Sequence, residues 1–166
     1  MWVLNETTIM RTGRAWTDAS GVQHPKTWET WSGDIKKKNG IAWVDEQRKP
    51  DGRFYDVSGI NLDGSWSATL KDLDDLKAQY TEQTKASANQ RLTSTDWQII
   101  AKAERDRSVD SNVATYRAAV ISKCTGIEAA IAGCKNMTEF QALFDNRTVD
   151  GKSAPPIIDD WPEIGE

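Results

Sequence analysis

The sequence predicts an α+β protein: a small Trp-rich antiparallel β meander over residues 1–68, a three- to four-helix segment over residues 69–145, and an extended acidic tail over residues 146–166. Three observations predict it. Six of the eight tryptophans precede residue 67, together with most of the glycines and turn-forming residues. From residue 69 the apolar residues recur instead at helical spacing. After residue 145 the chain carries Pro155-Pro156 and Trp161-Pro162, which interrupt helices.

Taken in order, residues 2–16 leave room for an opening hairpin. Ser32 then caps a short helix over residues 34–38 that stops at Asn39-Gly40. Ile41-Ala-Trp43-Val44, Phe54-Tyr-Asp-Val57 and Trp66-Ser-Ala-Thr69 follow as strand-like pieces. Lys49-Pro-Asp-Gly52 and Leu62-Asp-Gly-Ser65 separate them, and both form turns because Pro sets φ and Gly accepts positive φ. These three pieces read as consecutive strands of one meander.

In the second half, Thr69 with Asp72 resembles a cap in front of Leu73, Leu76 and Tyr80, which share one face of a helix reaching about residue 90. Residues 93–96 cap a shorter helix carrying Trp97, Ile100 and Ala101. Ser111 caps a third, in which Val113, Tyr116, Val120, Cys124, Ile127, Ile131 and Cys134 recur at spacings of 3, 4, 4, 3, 4 and 3. That spacing is heptad-like and defines a seam, packing either against the Leu73-Leu76-Tyr80 face within one chain or against copies of itself. Thr138 and Gln141 form a capping-box pattern for a last helix through Phe140, Leu143 and Phe144.

Composition narrows the function classes. A net charge of −4, with 28% charged and 38% hydrophobic residues, is ordinary for a soluble globular chain and lacks the basic excess of a nucleic-acid surface. No run approaches the ~18 apolar residues of a membrane span, and Asn5-Glu-Thr-Thr8 follows Met1-Trp-Val-Leu4 too soon for a secretory leader. Folding in a cytoplasm is the expectation. Cys124 and Cys134 lie ten residues apart, roughly 15 Å along a helix, beyond the reach of a disulfide, and a single histidine makes no metal cluster. No nucleophile elbow, phosphate loop or paired-Cys motif is present, so the chain is expected to be neither an enzyme nor a cofactor carrier.

The candidate contact residues each have a plainer counterpart. Trp28 and Trp31, at i and i+3, are candidates to stack on a glycan or anchor a partner protein; filling a small core is the plainer role. His24, before Pro25, lacks metal partners at ligand spacing. Lys36, Lys37 and Lys38 sit where cations oppose a helix dipole, and Asp72, Asp74 and Asp75 are ordinary first-turn acids. Val113, Tyr116, Val120, Ile127 and Ile131 form the helix-packing or oligomer seam. Glu104, with Arg105 and Arg107, is placed to pair with Arg117 across a helix junction and orient the two helices.

Residues 95–117, TDWQIIAKAERDRSVDSNVATYR, hold an Asp96-Trp97 phrase, a Lys102-Ala-Glu104 phrase and a Tyr116-Arg117 pair. This segment resembles the C-terminal helices of small bacteriophage tail-associated proteins grouped with the tail-fibre assembly chaperones. Gly21-Val-Gln-His-Pro25 with Trp28, Lys38-Asn-Gly40-Ile41, Asp51-Gly-Arg-Phe-Tyr55, Leu73-Asp-Asp-Leu-Lys77 and Trp161-Pro162 look like the rest of the same proteins. Two positions depart: Ala101 stands where an Arg is usual, and Asp110 where a Pro is usual before the next helix. The resemblance implies a non-enzymatic tail, fibre or baseplate component, or a fibre assembly factor. It would sit in the virion tail, or in the host cytoplasm during assembly, with tail or fibre proteins and copies of itself as partners. Neither nucleic acid nor membrane is an expected partner; a glycan-binding module for host attachment is the alternative.

Overall fold

The computed structural model describes residues 1–164, and the protein is α+β. The chain divides into two compact units, Met1–Leu70 and Lys71–Glu166. All the long helices lie in the second.

The first unit begins with β1 (Trp2–Leu4) and β2 (Thr8–Met10), the opening hairpin that the sequence left room for. Its three-residue loop holds Asn5 and Glu6 at φ of 49° and 57°, a left-handed pair closed by the Thr7 amide donating to the Leu4 carbonyl. A second small pair, β3 (Trp16–Thr17) with β4 (Gln23–His24), is followed by a 3-10 turn at Trp28–Thr30 and by α1 (Gly33–Lys38). Ser32 caps α1 through the Ile35 amide, and Gly40, at φ +70°, ends it. This glycine is required twice over, because a Cβ there would also run into the Asn5 side chain.

The strand after α1 corrects the expected pairing. β5 (Ile41–Trp43) joins β1, giving the order β2-β1-β5, while β6 (Tyr55–Ile60) and β7 (Trp66–Leu70) form a separate antiparallel hairpin. The physical reason lies in the connections. Gly40 brings the chain straight back onto β1, where the Gly40 carbonyl accepts from the Asn5 amide at 2.7 Å. Residues 44–54 form no strand and leave β6 to pair with its hairpin neighbour through the Asn61–Ser65 turn, with Gly64 at φ +82°. Val3, Trp28, Ile41 and Phe54 make the core of this unit.

In the second unit α2 (Leu73–Thr93) and α4 (Ser111–Gly133) pack as an antiparallel hairpin, with α3 (Asp96–Arg105) between them in sequence and α5 (Met137–Ala142) after them. The caps sit close to the expected places but on different residues. Asp72, rather than Thr69, accepts from the amides of Asp74 and Asp75. Asp110, the residue standing where a Pro was usual, itself caps α4 through Asn112 N. Asn136 with Glu139, rather than Thr138 with Gln141, makes the reciprocal cap of α5.

Tyr80 meets Phe140 and Phe144 edge-on, at centroid distances of 5.6 and 4.9 Å, and ties α2 to α5. The tail is extended in backbone over two stretches, yet it does not run free. β8 (Arg147–Val149) and β9 (Lys152–Ala154) form a hairpin across the left-handed pair Asp150-Gly151. A 3-10 turn at Ile157–Asp159 follows, and Ile158 is buried. Asp160 then accepts from Lys123 on α4 at 2.6 Å and from Arg147 at 2.8 Å. Those two cations hold its carboxyl below the usual carboxylate range.

Candidate functional site

Trp28 is 0% exposed, and its indole N–H donates to the Arg14 carbonyl at 3.0 Å. It is therefore core, and as a glycan or partner contact it is withdrawn: a ring without accessible surface cannot meet a ligand. Trp31 is half-buried, its edge against His24 at 5.7 Å. His24 lies flat on Trp16 at 4.1 Å, with Nε2 3.1 Å from Asp18 Oδ2. The Asp18 carboxylate also accepts from the amides of Ser20 and Val22, so that the His24 and Val22 hydrogen bonds hold it below its ordinary pKa. This cluster closes the loop between β3 and β4. The ring most open to solvent in this unit is instead Trp43, at 57%; its indole donates to Asp45, and Trp2 stands edge-on at 5.0 Å. Lys36 places its ammonium over the other Trp of that pair, 4.5 Å from the Trp2 centroid.

In the second unit the heptad-like seam is consumed internally. Val113, Val120, Ile127 and Ile131 are buried within the chain against α2, and Tyr116 is half-buried with its hydroxyl 3.5 Å from the Arg91 carbonyl. Of the two packings that the spacing allowed, the helical hairpin is the one formed. Both cysteines are free thiols, each pushed up in pKa by burial first and, for Cys124, by the neighbouring Glu128.

The expected Glu104–Arg117 pair is not made. Arg117 reaches the start of α3 instead, where Nη1 lies 2.8 Å from Asp96 Oδ1, 2.7 Å from Thr95 Oγ1 and 2.9 Å from the Leu92 carbonyl. Glu104 sits two turns further along, and among the described residues its side chain has no hydrogen-bond or ion-pair partner.

That leaves α3 as the part of the chain with unspent contact capacity. It is held through its first turn: Arg117 reaches Thr95 and Asp96, and Gln98 Oε1 accepts from the Asp110 amide at 2.8 Å, while at the far end Asp106 turns left-handed at φ +51° and closes the helix on its own carbonyls. The side turned toward this returning loop is Gln98, and half-buried Ala101 borders the exposed face, lining the groove with Trp97. At about 100° per residue, Ile99, Ala103, Ile100 and Trp97 fall within an arc of roughly 160° on the other side. That arc faces water: Trp97 is 56%, Ile100 54% and Ile99 40% exposed. A strongly amphipathic helix normally buries its apolar stripe. Here the stripe points outward. Trp97, Ile100, Ala101 and Glu104 also line a shallow groove closed at one end by Arg105 and Arg107.

Sequence reasoning placed Trp97, Ile100 and Ala101 on this helix without seeing that the first two are uncovered; their i, i+3, i+4 spacing, continued by Glu104 at i+7, was the available sign. Among the described residues no three His, Cys, Asp or Glu side chains group to hold a metal, and no helix is long and apolar enough to cross a membrane. Comparison of the chain with family profiles, curated proteins and solved structures returns no match.

Proposed function

We propose that the chain is a non-enzymatic bacteriophage tail protein that acts through protein–protein contacts. It serves either as a small structural component of the tail, fibre or baseplate or as a factor for tail-fibre assembly. One observation carries the contact half of this reading: the outward apolar face of α3, where Trp97 and Ile100 are each more than half exposed on a helix tied down through its first turn. Large exposed aromatic and aliphatic side chains on a rigid element are the usual anchors of protein interfaces. The tail context rests on the resemblance of the Asp96-Trp97, Lys102-Ala-Glu104 and Tyr116-Arg117 phrases to the phage proteins named above.

Quantitative mass spectrometry of gradient-purified virions, with infected lysate alongside, tests it. Stoichiometric presence in particles supports the structural role, and abundance in lysate without incorporation supports the assembly role. Deletion of the gene leaving particles with normal tails, fibres and infectivity would overturn both.

A second reading has its own observation. Trp43 offers an exposed ring with its N–H already satisfied, beside Trp2 and the Lys36 ammonium, which fits stacking on a sugar face. Co-sedimentation with host surface polysaccharide would support it if Trp43→Ala removed binding, and unchanged binding would remove it.

A further inference from the structure

The contact reading of α3 leaves its occupant unnamed, and the pattern along the helix identifies one. Trp97, Ile100, Ala101 and Glu104 stand at i, i+3, i+4 and i+7, a two-turn seam of the kind that packs helix against helix. Two helices laid antiparallel with Ile100 of one opposite Ala101 of the other put Trp97 opposite Glu104 at both ends, because the register is its own mirror under a two-fold axis. The small Ala101 allows close approach at the centre. Ile99, on the far side of the helix, is left outside this seam.

Charge then selects this arrangement. The Glu104 carboxylate and the Arg107 guanidinium have no ion-pair partner among the described residues, and the Trp97 indole N–H has no acceptor. Arg107 follows the left-handed Asp106, which turns the chain back so that the Arg107 amide meets the Ala101 carbonyl, and its side chain lines the groove beside Trp97. In the antiparallel register Glu104 of one copy therefore enters the corner formed by Trp97 and Arg107 of the other. A parallel register would instead set Glu104 against Glu104 and Arg107 against Arg107. We propose that α3 pairs antiparallel with α3 of a second copy of this chain, with Ile100 and Ala101 at the two-fold axis and each Glu104 seated between Trp97 and Arg107 of its partner. A seam of two turns lies at the small end of specific interfaces, so the dimer forms weakly and reversibly.

This inference rests on the contact reading of α3 and is tested on the purified full chain alone. Sedimentation equilibrium from about 5 to about 200 µM should show the wild-type mass rising from monomer toward dimer. Ile100→Asp should stay monomeric with an unchanged far-UV circular dichroism spectrum. Glu104→Arg and Arg107→Glu, both at exposed positions, should each weaken association at least about tenfold. Mixed one to one they should associate again, since each then meets an opposite charge at both ends. A wild-type chain monomeric across the range, charge variants that dimerise as before, or a mixture that stays monomeric would each overturn the self-pairing. A monomeric wild type would leave the tail reading to the virion measurement, so the two failures are distinguishable.

Discussion

Arg117→Met tests whether the junction of α2, α3 and α4 is held by a guanidinium clamp. The substitution keeps an apolar stem and removes three polar contacts, to the Leu92 carbonyl, Thr95 Oγ1 and Asp96 Oδ1. The Asp96 side chain is about half exposed, so solvent screening reduces the ion pair to about 0.5 kcal/mol. The other two contacts join a charged donor to neutral acceptors in a partly buried setting, where such bonds are worth about 1.5 kcal/mol each or more when an acceptor is orphaned. Neither acceptor is orphaned here, because the Thr95 hydroxyl donates to the same Leu92 carbonyl at 2.8 Å and keeps doing so. The low end applies, and the expected total is about 3.5 kcal/mol.

Urea unfolding followed at 222 nm is the assay, since α2 through α5 all belong to the second unit and dominate that signal. With a slope of about 1–2 kcal/mol per M, the midpoint should fall by about 2–3.5 M. Asp96→Asn, which removes only the screened pair, should move it by less than about 0.5 M. If Asp96→Asn shifted the midpoint as far as Arg117→Met, the ion pair would be carrying the junction and this partition would be wrong. A shift below about 0.3 M for Arg117→Met would show that the clamp is not structural at all.

Three further outcomes follow from the geometry. Gly40→Ala and Gly13→Ala both place a side chain at positive φ, but only the Cβ at residue 40 meets Asn5, so Gly40→Ala should destabilise the first unit by more than the roughly 1 kcal/mol expected at Gly13; tryptophan fluorescence on urea unfolding reads it, and equal losses would refute the close approach. Trp28→Ala should cost about 3–5 kcal/mol by emptying the centre of the same unit, and a folded, cooperative variant with native fluorescence would show that the ring is not core. Asp160 has a lowered pKa, so the stability it contributes is complete above the ordinary carboxylate value of 3.8 and is lost as pH falls through the lowered one. Protection of β8 and β9 from hydrogen exchange, taken relative to the intrinsic rate at each pH, should fall below about pH 4 in the wild type and be lost already at neutral pH in Asp160→Asn; unchanged protection in that variant would refute the docking.

What the sequence made legible was local. The Ser32 cap, the left-handed Gly40 and the Leu62-Asp-Gly-Ser65 turn depend on neighbours within a few residues, and each stands where the residue pattern put it. The caps that moved from Thr69 to Asp72 and from Thr138 to Asn136 moved to Asp or Asn nearby, since both bind the free amides of a first turn more readily than Thr, whereas the move from Ser111 to Asp110 is a shift of one residue between comparable caps. Asp150-Gly151 was a readable hairpin signal in the tail that the prolines obscured. The partner of β5 was not legible, because strand pairing depends on which piece of chain is brought alongside, and the extended pieces differ little in pattern. Nor was the docking of Asp160 on Lys123, a contact across 37 positions of sequence.

The exposure of α3 belongs to the same class of nonlocal facts. Periodicity states which side chains share a face and is silent on what covers that face. The heptad run in α4 gave the stronger pattern, yet α2 covers it, while the shorter pattern in α3 is left open. An isolated ten-residue helix is marginal in water. Here α3 is kept in place by the Arg117 clamp and the Gln98–Asp110 contact, both in its first turn, and is closed by Asp106 at the far end; none of these uses the apolar arc. Holding the helix in this way costs ordering entropy before any partner arrives, so that a partner meets Trp97 and Ile100 already in position and binds without that cost. This division of labour gives Arg117→Met a second consequence. By loosening the clamp without touching the seam, it should weaken α3 pairing as well as the fold, whereas Ile100→Asp should abolish pairing and leave the fold intact.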